Sequence, residues 1–286
     1  MLMAHNTTKD SQIDVLDRIN AMRLREEKIS RCKSYFNSVI NSACRKAMVE
    51  WLFICVDTFG LSRETVGVAM SILDRYLSSG NGKSAEVLEN KQKFQLAAIT
   101  SFYMAIKISE PLQLDIDFVV KLCRGYYKGS DVTVFEQDIL TSLEWRVCLS
   151  TTTPMEYVRH FLELLPELSF TAEAIQENAM RYMDYATADP TFAMYRTSDV
   201  GIACLAGALD DACAISSLEK ENLWHQLSKK LEFEIASSEL RTIERQLLTK
   251  STSCQPRRKS RTSLPRFAVK AVNECKSSSS PISVLH

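Results

Sequence analysis

The stretch FQLAAITSFYMAIKISE, Phe94 to Glu110, decides the fold. From Phe94 to Ile106 small or apolar residues (Ala97, Ala98, Ile99, Tyr103, Met104, Ala105) occupy almost every side of a helical projection. A helix that is apolar nearly all round belongs inside a bundle, because it has no face to offer to water. The neighbouring segments should therefore be helices that cover it.

On the N-terminal side, Met48, Trp51, Leu52, Cys55, Val56 and Phe59 recur at helical spacing as one apolar stripe, closed by Gly60 just past the helix end. Ser62 is placed to cap the next helix, whose apolar face is Val66, Ala69, Met70, Leu73 and Leu77, and Ser78 to Lys83 breaks it. Further upstream Ile13, Leu16, Ile19, Met22 and Leu24 predict an N-terminal helix ending near Ser34, with the first ten polar residues loose. On the C-terminal side the pattern predicts a short helix from about Asp115 to Cys123. A longer one follows from Asp131 to about Val147, with Val132, Phe135, Ile139, Leu140 and Leu143 on one face.

The pattern starts again after Thr153-Pro154, since proline at the first helical position loses no needed N–H. Helices near 154–165, 171–187, 195–213, 219–231 and 237–249 make a second set, and its middle member (Ile202 to Ala208) is again the most uniformly small and apolar. Strand signals are scarce, so the class is all-α. The expected division is an N-terminal segment with its helix (1–33), a first five-helix domain (34–150), a second (151–250) and a tail (251–286). That tail holds seven Lys or Arg against one acidic residue, with many serines and three prolines, the composition of a disordered segment.

The chain has 35 basic and 35 acidic residues, so no global field draws it toward nucleic acid or an anionic membrane. Only 8 of 286 residues are glycine, against the roughly 7% usual in proteins, which disfavours folds that cradle phosphates on glycine-rich turns. Gly82-Lys83-Ser84 imitates the end of a P-loop, but Leu77 stands where its first glycine is needed. The four histidines (His5, His160, His225, His286) lack metal-ligand spacing, and no hydrolase motif is present. Nine cysteines without a Cys-x-x-Cys pair or a leading signal segment read as reduced thiols of a soluble intracellular protein. No apolar run is long enough to span a bilayer.

CRKAMVEWL from Cys44 and ILDRYLS from Ile72 resemble the first two helices of the cyclin box. Phe94 to Glu110 is similar to its buried third helix, and VFEQDILTSLEWRVCLSTTTPMEYV from Val134 to its fifth and the passage into a second box. Five spaced positions carry the resemblance: Arg45, Asp74, Leu96, Lys107 and Glu136. It covers about 34–250, by helix pattern alone in the second half. It implies two consecutive five-helix cyclin-fold bundles, no catalysis and no cofactor or metal.

The resemblance further implies a regulatory subunit that binds and activates a cyclin-dependent protein kinase in cell-cycle control. Lys107, Ile108, Glu136, Leu140 and Trp145 are then the kinase-binding residues. Arg45 and Asp74 are expected to form a buried structural pair, with Leu96 in the core. A substrate-docking groove carries over through Met48, Trp51 and Gln95, and would take substrates or inhibitors. Cys44 and Ala47 are shorter than the family's usual residues there, Ile54 replaces an acidic one, and Met48 and Trp51 have a plain alternative as core. In the tail PRRKSR (Pro256 to Arg261) is a candidate import signal, which leads to an expectation of nucleus and cytoplasm. RTSL (Arg261 to Leu264) and Lys220-Glu221-Asn222 are weak degradation signals, and Ser260, Thr262 and Ser280 are candidate phosphate acceptors.

Two competing readings remain. One is a transcription factor B-like protein, which uses the same paired helical fold to bind promoter DNA. It usually brings a zinc ribbon and a basic second domain, and neither is visible here, so nucleic acid is not the expected partner. The other is a cyclin of transcriptional or phosphate signalling.

Overall fold

A computed structural model describes residues 2–29, 31–111, 114–212, 215–231 and 237–251, with side chains between 12 and 249. The tail, and with it PRRKSR, RTSL and the three candidate phosphate acceptors, lies outside the described residues. Among the described residues every regular element is helical, as the apolar periodicity predicts, and none is long and apolar enough to cross a membrane.

In chain order the α-helices are α1 (Leu2–Glu27), α2 (Ser42–Phe59), α3 (Glu64–Ser79), α4 (Ser84–Leu88), α5 (Lys91–Ser109), α6 (Ile116–Leu122), α7 (Gly129–Ser142), α8 (Pro154–Glu163), α9 (Ala172–Ala188), α10 (Thr197–Asp210), α11 (Ser217–Lys230) and α12 (Ser238–Ser251). Short 3-10 turns follow α7 (Arg146–Ser150), α8 (Pro166–Leu168) and α9 (Pro190–Met194). Two compact units result. Cys32–Thr151 with Thr187–Met194 forms one, and helix α1, Thr152–Ala186 and the chain from Tyr195 through α12 form the other.

In the unit built on Cys32–Thr151, α5 is the axis, packed by α2, α3, α4 and α7. All thirteen of its residues from Phe94 to Ile106 are buried, which is why the all-round apolar pattern was decisive. Asn90 opens it by accepting from the N–H groups of Gln92 and Lys93. Helix α2 ends as its sequence foretells, on Gly60 in the left-handed conformation at φ 68°. Ser62 also behaves as a cap, its hydroxyl accepting from Glu64 N–H at 3.3 Å. Each large apolar side chain buried against α5 contributes about 1.5–3 kcal/mol.

In the other unit α10 is the corresponding centre, packed by α8 and α12, while α1 lies against α8. The approach is close enough to demand glycine: a Cβ on Gly207 would lie 2.7 Å from the Tyr182 ring, and one on Gly201 would lie 2.9 Å from Tyr157. Ser216 and Glu219 form a capping box that starts α11.

The structure departs from the sequence expectations in three places. Helix α1 begins at Leu2 rather than after a loose start and stops at Glu27 rather than near Ser34; no glycine or proline interrupts it. The short α4 lies where no helix was expected. The helix predicted to reach Val147 ends at Ser142, where the backbone turns through two left-handed residues, Glu144 and Trp145.

Candidate functional site: a paired surface on the α5–α7 face

Lys107 stands in the last turn of α5, where a cation interacts favourably with the helix dipole. Its Nζ donates to Glu136 Oε1 on α7 and sits 4.4 Å from the centroid of the Tyr103 ring, one turn earlier on its own helix. The ammonium is thus held from two sides, by a carboxylate and by an aromatic face. Burial, then the Glu136 charge, pushes the Tyr103 hydroxyl above its ordinary pKa. The pair stays partly wet, with the lysine side chain 36% and the glutamate 21% exposed.

Apolar side chains follow both members of the pair along the chain. Ile108, next in the chain to Lys107, is 41% exposed, and Trp145 is 69% exposed. Leu140, one helical turn beyond Glu136, is half-buried against the core. Trp145 connects back to Leu140, its N–H donating to that carbonyl at 2.8 Å, so the turn that carries Trp145 is tied to the α7 residue one turn past Glu136.

The turn that carries Trp145 has an unusual backbone. Glu144 and Trp145 have φ of 52° and 60°, a region that costs a residue other than glycine about 1–2 kcal/mol. The closing bonds, Glu144 N–H to Thr141 O at 3.1 Å and Trp145 N–H to Leu140 O at 2.8 Å, satisfy the last carbonyls of α7. A large aromatic residue held in strained backbone and turned to solvent suits an interface.

Arg45 and Asp74 meet as expected. Arg45 Nε and Nη2 donate to the two carboxylate oxygens at 3.0 and 2.7 Å, with the side chains 2% and 3% exposed. The structure adds three partners that spacing gave no sign of. Tyr35 donates its hydroxyl to Asp74 Oδ1 at 2.6 Å, and Arg45 Nη1 donates to the carbonyls of Thr187 at 2.7 Å and Ala188 at 3.3 Å in the same unit. Burial opposes the arginine's charge, but Asp74 outweighs it and holds the guanidinium pKa above its ordinary value. The Tyr35 hydroxyl is raised by burial and then by Asp74. Leu96 is buried at 7% exposure.

The proposed docking residues face inward. Met48 is 0%, Trp51 3% and Gln95 3% exposed, and Gln95 accepts from the Tyr127 hydroxyl at 3.1 Å. Their packing follows the plain alternative, core, while Ile54 at 52% exposure is what α2 shows to solvent. Tyr103 is a residue the sequence reading missed; its i, i+4 spacing to Lys107 was the available signal. Lys220, Glu221 and Asn222 lie within α11. Among the described residues no group of three His, Cys, Asp or Glu is placed to hold a metal ion.

The fold is a helical one of cyclin architecture. The viral cyclin of herpesvirus saimiri superposes with a TM-score of 0.61 at 18% identity, over 80% of this chain and 96% of that one. In sequence, the family described as cyclin, N-terminal domain, matches residues 17–148. G1/S-specific cyclin-D2 of Rattus norvegicus is 25% identical over 206 residues, 71% of this chain and 67% of that protein. G2/mitotic-specific cyclin-B3 of Canis lupus familiaris is 32% identical over 148 residues, 51% of this chain and 10% of that protein. The match to cyclin-D2 of Mus musculus spans 63% of that relative's length. Over residues 17–148 the chain is similar to the cyclin N-terminal domain, and over most of its length it shares the fold of a viral cyclin.

Proposed function

We propose that this chain is a non-catalytic regulatory subunit that binds and activates a protein kinase of the cyclin-dependent class in cell-cycle control. The observation that carries the reading is the Lys107–Glu136 pair, with Ile108 beside Lys107 in the chain and Trp145 just past α7 both turned to solvent. A kinase of this kind is inactive while its αC helix stands away, because the helix glutamate then misses the lysine that positions ATP. A partner that fits only the inward helix shifts that balance. Moving a population from about 1:99 to 99:1 takes about 5.5 kcal/mol of differential affinity, within reach of an interface with buried aromatic anchors. Lys107 and Glu136 supply the polar contacts, Ile108, Leu140 and Trp145 the apolar ones.

The test is copurification with cyclin-dependent kinases, followed by a reconstituted phosphorylation assay. Lys107→Ala with Glu136→Ala is expected to keep the fold and abolish activation; unchanged activation removes this site. If the wild-type chain captured no such kinase and instead bound DNA with a steep salt dependence, the transcription factor B-like reading would replace this one.

Two subsidiary readings belong to the same proposal. Substrates or inhibitors dock over α2, above the floor made by Met48, Trp51 and Gln95, and the protein divides between nucleus and cytoplasm through PRRKSR. Trp51→Ala would also remove core packing, so Ile54→Asp is the cleaner docking probe, scored by competition with a leucine-bearing basic peptide in the same assay. Deletion of 256–261 in a fluorescent fusion tests import. Unchanged competition or unchanged distribution rejects the respective reading.

A further inference from the structure

Behind the paired surface, two adjacent residues of α3 grip the chain that carries it. The Tyr76 hydroxyl, on a residue buried at 0% exposure, donates to Asp138 Oδ2 at 2.6 Å. The Lys83 backbone N–H donates to the same oxygen at 3.1 Å. Gly82 lets the turn between α3 and α4 close this tightly, since a Cβ there would lie 2.8 and 2.9 Å from the Asp138 oxygens and 2.5 Å from Ser142 Oγ. One residue before Tyr76, Arg75 Nη1 donates to the Arg146 carbonyl at 3.1 Å and to Ser150 Oγ at 2.5 Å. The grips fall on either side of the strained Glu144–Trp145 turn.

We propose that Tyr76 and Asp138, seconded by Arg75, are positioning residues that fix the rotation of α7 and the Glu144–Trp145 turn, so that Glu136 and Trp145 are presented together. The inference rests on the kinase-binding reading above. Asp138 is two residues past Glu136, about 200° around the helix, so the clasp acts from the rear and touches no partner. Apolar packing alone tolerates a small rotation of a helix. A buried hydroxyl bonded to a carboxylate is short and directional and does not. A site held rigid before binding loses less freedom when the partner arrives.

Tyr76→Phe removes one hydroxyl and keeps the ring. With the full chain alone, deuterium exchange over 139–146 is expected to rise about tenfold while exchange over 94–106 stays unchanged; a general loss of stability would raise both. With the kinase, affinity is expected to fall about tenfold, and by markedly less when Glu136 is already alanine and only the Trp145 share remains, because residues that act through one another couple. Asp138→Asn should act in the same direction. Unchanged exchange over 139–146 overturns the proposal, as does a local rise with unchanged affinity or an undiminished Tyr76→Phe effect beside Glu136→Ala. If the wild-type chain bound no kinase, the proposed function would fail, and the exchange arm by itself would decide whether the clasp positions the turn.

Discussion

Two of the ion pairs between neighbouring helices in the compact unit built on Cys32–Thr151 teach opposite lessons. Arg45–Asp74 is nearly sealed, with side chains 2% and 3% exposed and further hydrogen bonds from Tyr35 and to the Thr187 carbonyl. Lys107–Glu136 is at the rim, 36% and 21% exposed. Taking charges out of water costs several kcal/mol per ion, so the sealed pair fixes geometry more than it adds net stability, and neither partner can leave alone. The rim pair keeps part of its hydration, so it can open or extend its hydrogen bonds to another molecule at lower cost than the sealed pair.

The largest effect separating the two should come from Arg45→Ala. It leaves a buried carboxylate unpaired and is expected to cost about 3–5 kcal/mol in urea unfolding. Replacing both partners by apolar residues of similar size should cost markedly less; an equal loss would mean that the carbonyls of Thr187 and Ala188, rather than the pair, set the energy.

A second probe is alkaline pH. Burial, then the Asp74 charge, pushes the Cys32 thiol from 9.0 up to about 12, and Tyr35 shifts the same way. In the unfolded chain these groups lose protons at their ordinary pKa, while the folded state holds them. Their contribution is therefore complete below about pH 9 and is lost as pH rises toward 12. The urea midpoint should decline across that window, and Cys32→Ala should flatten part of the decline.

The smallest stability effect belongs to the rim. Lys107→Ala should change unfolding free energy by no more than about 1 kcal/mol, even where it removes kinase binding. A loss like that of Arg45→Ala would erase the distinction between the two pairs.

How much of this was legible depends on what kind of signal each feature leaves. The all-helical class and the central place of α5 were readable, because burial on every side writes an apolar pattern that no surface helix shows. The Gly60 stop was readable as well, since it needs one residue type at one place. The end of α7 was not. Leu143, Trp145 and Val147 continue an apolar rhythm, and only packing shows that the backbone has already turned through Glu144 and Trp145. The docking residues illustrate the same gap: Met48 and Trp51 match a pattern of types, yet exposure, which a type does not encode, puts them inside.

By itself the sequence determined where helices form and which of them must be central, because periodicity and local capping act within a few residues. It also named Lys107 and Glu136, 29 positions apart. Only the tertiary structure decided that they meet, that the Tyr103 ring stands beside Lys107, and that Tyr76 bonds Asp138 on the helix that carries Glu136. Those contacts join residues distant along the chain, through hydrogen bonds whose strength depends on distances and angles that exist only once the helices have packed.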